Sequence, residues 1–165
     1  AFYGPMGFDI GALLANLLIS FFSQNGHDSQ KGDGEKYKIW ILETINNVWN
    51  NFEIKFLDLW RNNSKGDAYS NIFFNQDEEI KLERERKIFL KNILHDSIGF
   101  AAAKMIRRIF GFAHNIDLEL IKDEKIRAQC ENKCVSLAIK MMISAKEYEN
   151  IEALTDDAIK FNVSG

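Results

Sequence analysis

Proline occurs once in this 165-residue chain and cysteine twice. A formal net charge of −3 is close to neutral for the length. Each scarcity excludes something. Two cysteines cannot staple a disulfide-dense secreted scaffold. A small negative charge gives no electrostatic case for nucleic acid or an anionic membrane. The longest apolar run, residues 10–22, is interrupted by Asn16 and Ser20. It falls short of the ~20 residues that span a bilayer, and no charged region precedes it as in a secretory signal. Alternating β-branched patterning is nearly missing, which argues against strands.

What remains is helical periodicity in a chain 46% hydrophobic and 27% charged, ordinary values for one globular domain. The spacing predicts an all-α fold. A first helix covers residues 9 to about 24, with Asp9 as N-cap and Gly26 as C-terminal stop. Its apolar positions cover most of the circumference, which places it inside an assembly of helices. A long second helix, from 35 to about 62, carries the stripe Tyr37, Ile41, Ile45, Val48, Trp49, Phe52, Phe56, Leu59 and Trp60. A third helix covers 77–95, and its charged first half reads as a solvated face. Asp96 or Ser97 then caps a fourth, in which Gly99 and Ala101 to Ala103 permit close helix approach. A short turn starts at Asp117, a helix runs from about 122 to 148, and a last one from about 151 to 161.

Cys130 and Cys134 are four apart and share a helix face, at a Cβ separation of ~5–6 Å that does not suit an unstrained disulfide. Reduced, packed thiols are expected, with the cytoplasm as compartment. The three histidines, His27, His95 and His114, form no zinc spacing. His114 is expected to be packed, and neighbours such as His95 and Asp96 do not face one another on a helix. Trp40, Trp49 and Trp60 belong to the core rather than to a pocket.

The chemical oddity is "KMIRRIFGFAH", residues 104–114. Adjacent helical positions diverge by about 100°, so at least one guanidinium of Arg107 and Arg108 turns toward the apolar side. A half-buried arginine requires a partner. That partner is a carboxylate such as Asp96 or Glu119, or else an anionic or polyhydroxylated ligand held by the planar fork. Spacing leaves both open, and the residues alone do not name a function.

Two long motifs carry a resemblance. "FYGPMGFDIGALLANLL" at the start and "SIGFAAAKMIRRIFGFAH" in the middle are similar to the C-terminal lobe of the S-methyl-5-thioribose kinase family, as is "DLELIKDEKIRAQCENKCVSLAIKMM". The resemblance covers essentially the whole chain. It implies the helical lobe of a protein-kinase-like fold, related to aminoglycoside phosphotransferases and choline kinases. The implied activity is ATP-dependent phosphorylation of the 1-hydroxyl of methylthioribose in methionine salvage. ATP and Mg²⁺ are the implied cofactors, both held by residues that would precede Ala1. In that family a His-Gly-Asp catalytic loop and a metal-binding Asp-Pro-Glu come before the Phe-Tyr-Gly-Pro-Met-Gly loop. The expectation is therefore that the chain opens just beyond the metal segment, contains no catalytic or metal residue and is inactive alone. Arg107 and Arg108 match paired arginines that bind the sugar and stabilise the transferring phosphoryl group. Asp9 matches an aspartate that anchors the catalytic loop, and Tyr3 would lie near the substrate with Phe2 and Gly4. A homodimer is implied as well, with no nucleic-acid or membrane partner. The competing readings are another small-molecule kinase, acting on an aminoglycoside, choline or homoserine, and a non-enzymatic helical interaction module with internally paired arginines.

Overall fold

The computed structural model describes residues 4–27, 33–63 and 79–163. These residues form six α-helices and one 3₁₀ turn, with no strand among them. The all-α expectation is met. The helices are α1 (Gly7–His27), α2 (Gly34–Asn62), α3 (Glu79–Phe110), α4 (Ile116–Glu119), α5 (Glu124–Ser144) and α6 (Ile151–Val163), the 3₁₀ turn being Ala145–Glu147.

The central helix is α1, packed against α2, α3, α4 and α5. Leu14, Ala15, Leu18, Ile19, Phe21 and Phe22 are all 2% exposed or less. An apolar circumference has thus produced an interior helix, as its composition requires. By length and hydropathy α1 would also suffice to cross a membrane, and half of its most apolar window is buried inside the bundle. Its start differs from the expected one. The helix opens at Gly7, with the Phe8 amide donating to the Pro5 carbonyl at 3.0 Å. The fixed φ of proline favours such an opening. Asp9 therefore sits inside the first turn, exposed, where its charge meets the positive end of the helix, and it is not the N-cap. Gly26 is not a stop either. It lies within α1, and a Cβ there would be 2.5 Å from Ile121 Cδ1. His27 closes the same contact, its Nε2 lying 2.8 Å from the Asp117 carbonyl oxygen.

The expected third and fourth helices are one continuous α3 of 32 residues. Ser97 caps nothing: it is fully buried, and its hydroxyl donates back to the Ile93 carbonyl at 2.7 Å. That i−4 bond absorbs the polar group within the helix, so Asp96 and Ser97 create no break. The close approach of helices falls on α1 rather than at Gly99. A Cβ on Gly7 would meet Ser97 N at 2.7 Å, and one on Gly11 would meet Ser97 O at 2.5 Å, whereas Gly99 faces open space. On the α3 side Ala101 and Ala102 are fully buried, while Ala103 is exposed.

In α2 the buried stripe is Ile41, Ile45 and Trp49, and Phe52 and Phe56 extend it. Tyr37, Trp40 and Leu59 are exposed, against expectation, with Tyr37 and Trp40 stacked at 5.4 Å. Trp60 meets Phe89 of α3 edge to face at 5.2 Å. The charged half of α3 is less solvated than its composition suggests. Arg86 is buried and pairs with Glu79 and Glu83, and Glu83 also pairs with Arg61 of α2.

Asp123 caps α5 by accepting from the amides of Lys125 and Ile126. The expected single helix to 148 ends at Ser144 and passes through the 3₁₀ turn. Both cysteines are free and buried, as expected, and burial pushes each thiol pKa up. At the far end, the buried Asp157 carboxylate accepts from the Tyr148 hydroxyl at 2.9 Å and pairs with Lys140 and Lys160, tying α6 to α5.

A candidate anion site at the end of the third helix

The last two turns of α3 carry Lys104, Arg107 and Arg108. Residues three and four apart share a helix face, so Lys104 lies on the side of both arginines. Arg107 is exposed and Arg108 half-buried. The Gly111 amide closes the helix with an i→i−4 bond to the Arg107 carbonyl at 2.9 Å, and the chain bends over residues 111–113. Arg108 Nη1 then donates to the carbonyl oxygens of Ala113 at 3.1 Å and His114 at 3.4 Å. Arg108 Nε is buried and has no hydrogen-bond partner among the described residues.

Neither arginine pairs with a carboxylate among the described residues. The internal ion pair with Asp96 or Glu119 is thus not formed. Backbone carbonyls hold Arg108 instead, a partner that side-chain spacing does not suggest. Burial lowers the Lys104 pKa, and the neighbouring charges of Arg108 and Arg107 lower it further. Three cations therefore stand together without an ion-paired acid among the described residues. His114 is exposed rather than packed, and its contribution is a carbonyl.

The other expected site residues lie elsewhere. Tyr3 and Phe2 fall outside the described residues, as does most of the segment from 62 to 76. The Asp9 carboxylate has no hydrogen bond or ion pair among the described residues. Gly7, two residues before it, packs on Ser97, which is ten positions and about 15 Å of helical rise before Arg107. Asp9 and the arginines thus do not share a contact. Sequence reasoning passed over Lys104 and Gly111. The i, i+3, i+4 spacing points to the first, and a glycine just beyond the last apolar turn to the second.

Other recesses are of a different kind. One of about 260 Å³ between α5 and α6 is lined by Lys140, Ser144, Tyr148 and Asp157. Another, of about 360 Å³, lies over Trp49 with Lys87, Lys91 and Glu149 at its rim. Neither includes Arg107 or Arg108.

Fold and site together define a helical assembly with a cationic corner that has no paired carboxylate among the described residues, suited to phosphate or a polyhydroxylated ligand. No family model matches the chain. It is 44% identical over 154 residues to methylthioribose kinase 2 of Oryza sativa subsp. japonica, covering 92% of this chain and 36% of that protein. Methylthioribose kinase 1 of the same plant is 44% identical over 153 residues, with 92% and 35% covered. The methylthioribose kinase of Escherichia coli O45:K1 is 34% identical over 157 residues, with 95% and 37% covered. The chain is thus homologous, along nearly its whole length, to proteins named methylthioribose kinase, and it spans little more than a third of their length.

Proposed function

We propose that this chain is the substrate-holding helical part of an ATP-dependent kinase that phosphorylates the 1-hydroxyl of methylthioribose. The observation that carries the reading is the arginine pair. Among the described residues, two guanidinium groups, one of them with a buried Nε that has no partner, stand beside Lys104 with no carboxylate paired to either. A buried guanidinium nitrogen without a partner is costly unless a ligand or another group satisfies it. The names of the homologous proteins supply the substrate class.

In phosphoryl transfer, charge accumulates on the oxygens between donor and acceptor, and fixed cations aimed there lower the barrier. Arg108, held by two backbone carbonyls, is the fixed cation, and the exposed Arg107 is free to reach a sugar hydroxyl or phosphoryl oxygen. Among the described residues no cluster of three metal-ligating side chains could hold a cation. In this proposal metal, nucleotide and catalytic base are held by other parts of the protein, and these helices alone do not turn over substrate. Asp9 and Tyr3 are assigned lesser roles, Asp9 anchoring the active-site loop and Tyr3 contributing to substrate binding. A cytoplasmic homodimer is part of the same proposal, supported as to compartment by the two free buried thiols.

The test is a panel of acceptors offered with ATP and Mg²⁺ to the full-length protein: methylthioribose, an aminoglycoside, choline and homoserine. Formation of methylthioribose 1-phosphate at a clearly higher kcat/KM than any other product supports the proposal. Preference for another acceptor, or no transfer to any, overturns it.

A further inference from the structure

We propose that Gly111 is a positioning residue for this reaction, because the turn it permits is what aims Arg108. The inference rests on the role just proposed for that arginine. Helix-ending glycines are common and by themselves mean only a stop. Here the geometry is more particular. A Cβ at Gly111 would stand 2.5 Å from the carbonyl oxygen of Arg107, a backbone atom that cannot swing aside. The Gly111 amide instead donates to that same oxygen at 2.9 Å. Beyond this last i→i−4 bond the chain bends, and the carbonyls of Ala113 and His114 return to Arg108 Nη1 at 3.1 and 3.4 Å.

The consequence is a fixed guanidinium plane. One edge is engaged by carbonyls of its own following loop, and Nε is buried. An arginine side chain otherwise samples many rotamers, and ordering it at the moment of substrate binding would cost entropy. The loop removes that cost in advance, which is preorganisation of an electrostatic group. A side chain at position 111 opens the turn, displaces the two carbonyls and releases Arg108, while the helices behind it keep their packing.

The experiment is a double-mutant cycle in the full-length protein, with kcat and KM for methylthioribose at saturating ATP and a melting temperature for every variant. The variants are Gly111→Ala, Arg108→Ala and the two combined. A second route opens the same turn without a Cβ clash: one glycine inserted between Phe112 and Ala113, alone and with Arg108→Ala. Misplacing a catalytic-site group by about 1 Å can cost on the order of 10²-fold in rate. Gly111→Ala is expected to lose activity on that scale with its melting temperature close to wild type. In the Arg108→Ala background it should cost nothing more, because the group it aims is gone. The insertion should behave identically, and it decides the matter if Gly111→Ala fails to fold. Wild-type activity in both turn variants, or losses that multiply with that of Arg108→Ala, would overturn the inference while leaving the arginine's role intact. Wild-type activity of Arg108→Ala would overturn both.

Discussion

Replacing Gly11 with alanine adds a single methyl group where α1 crosses α3, and the effect can be worked out from its neighbours. In a helix interior alanine is favoured over glycine by about 0.5–1 kcal/mol, so propensity alone predicts a gain. The new Cβ would stand 2.5 Å from Ser97 O, 2.8 Å from Phe100 Cβ and 3.0 Å from Ala101 N. Two of these are backbone atoms of a continuous helix, so α1 as a whole must move away. Overpacking of this kind costs typically ~1–3 kcal/mol. The net expectation is a loss of roughly 1–2 kcal/mol, or a melting temperature lower by about 2–8 °C for a chain of this size. The control is Gly99→Ala on α3. There a Cβ meets nothing within 4 Å, so the propensity gain stands alone and the melting temperature should rise by about 1–4 °C. Thermal melts of the two variants beside the wild type decide the question. A Gly11→Ala protein as stable as Gly99→Ala would refute the close approach of α1 to α3.

Three further outcomes follow from buried chemistry. Burial pushes the Asp157 pKa up, but hydrogen bonds from Lys140, Tyr148 and Lys160 outweigh it and hold the carboxyl below its ordinary value. A depressed carboxyl contributes stability above its unfolded pKa, and that contribution is lost as pH falls through the folded value. Asp157→Asn should therefore flatten the acid limb of a stability–pH curve, and an unchanged limb would contradict the network. Tyr148→Phe removes the hydroxyl bound to Asp157 and should cost about 1 kcal/mol in chemical denaturation, a figure that an unchanged midpoint would refute. Cys130 and Cys134 should resist iodoacetamide at neutral pH in the native protein and react once it is denatured, because burial raises both thiol pKa values. Rapid native labelling, read by mass spectrometry, would contradict their burial.

The helical class was legible because period-3.6 patterning runs through α1, α2, α5 and α6 and depends only on local spacing. Boundaries failed where a long-range contact overrode a local signal. Gly26 and Ser97 are ordinary stop and cap residues in sequence, yet one makes room for Ile121 and the other bonds its own helix. The close-approach glycines were placed on α3 because Gly99 sits among alanines. Which helix supplies the gap is settled by pairing, and pairing is not written in either helix alone. At the candidate site, the adjacency of Arg107 and Arg108 forced attention to a half-buried guanidinium, and Arg108 is half-buried. Its partners were out of reach of side-chain reasoning, since the carbonyls of Ala113 and His114 carry no residue signature. Arg86 shows the same limit from the other side: a charge run that reads as solvated buries one of its members, which pairs with Glu79 and Glu83 of its own helix.

The most direct test of the central claim is the rate of methylthioribose phosphorylation by the full-length protein carrying Arg107→Ala or Arg108→Ala, with melting temperatures recorded alongside. Removing one preorganised cation from a transition state typically costs ~10²–10³-fold in kcat. The account predicts a loss on that scale for Arg108→Ala, a clear loss for Arg107→Ala, and folds as stable as the wild type. Undiminished turnover in both variants would show that the two guanidinium groups serve something other than the reaction.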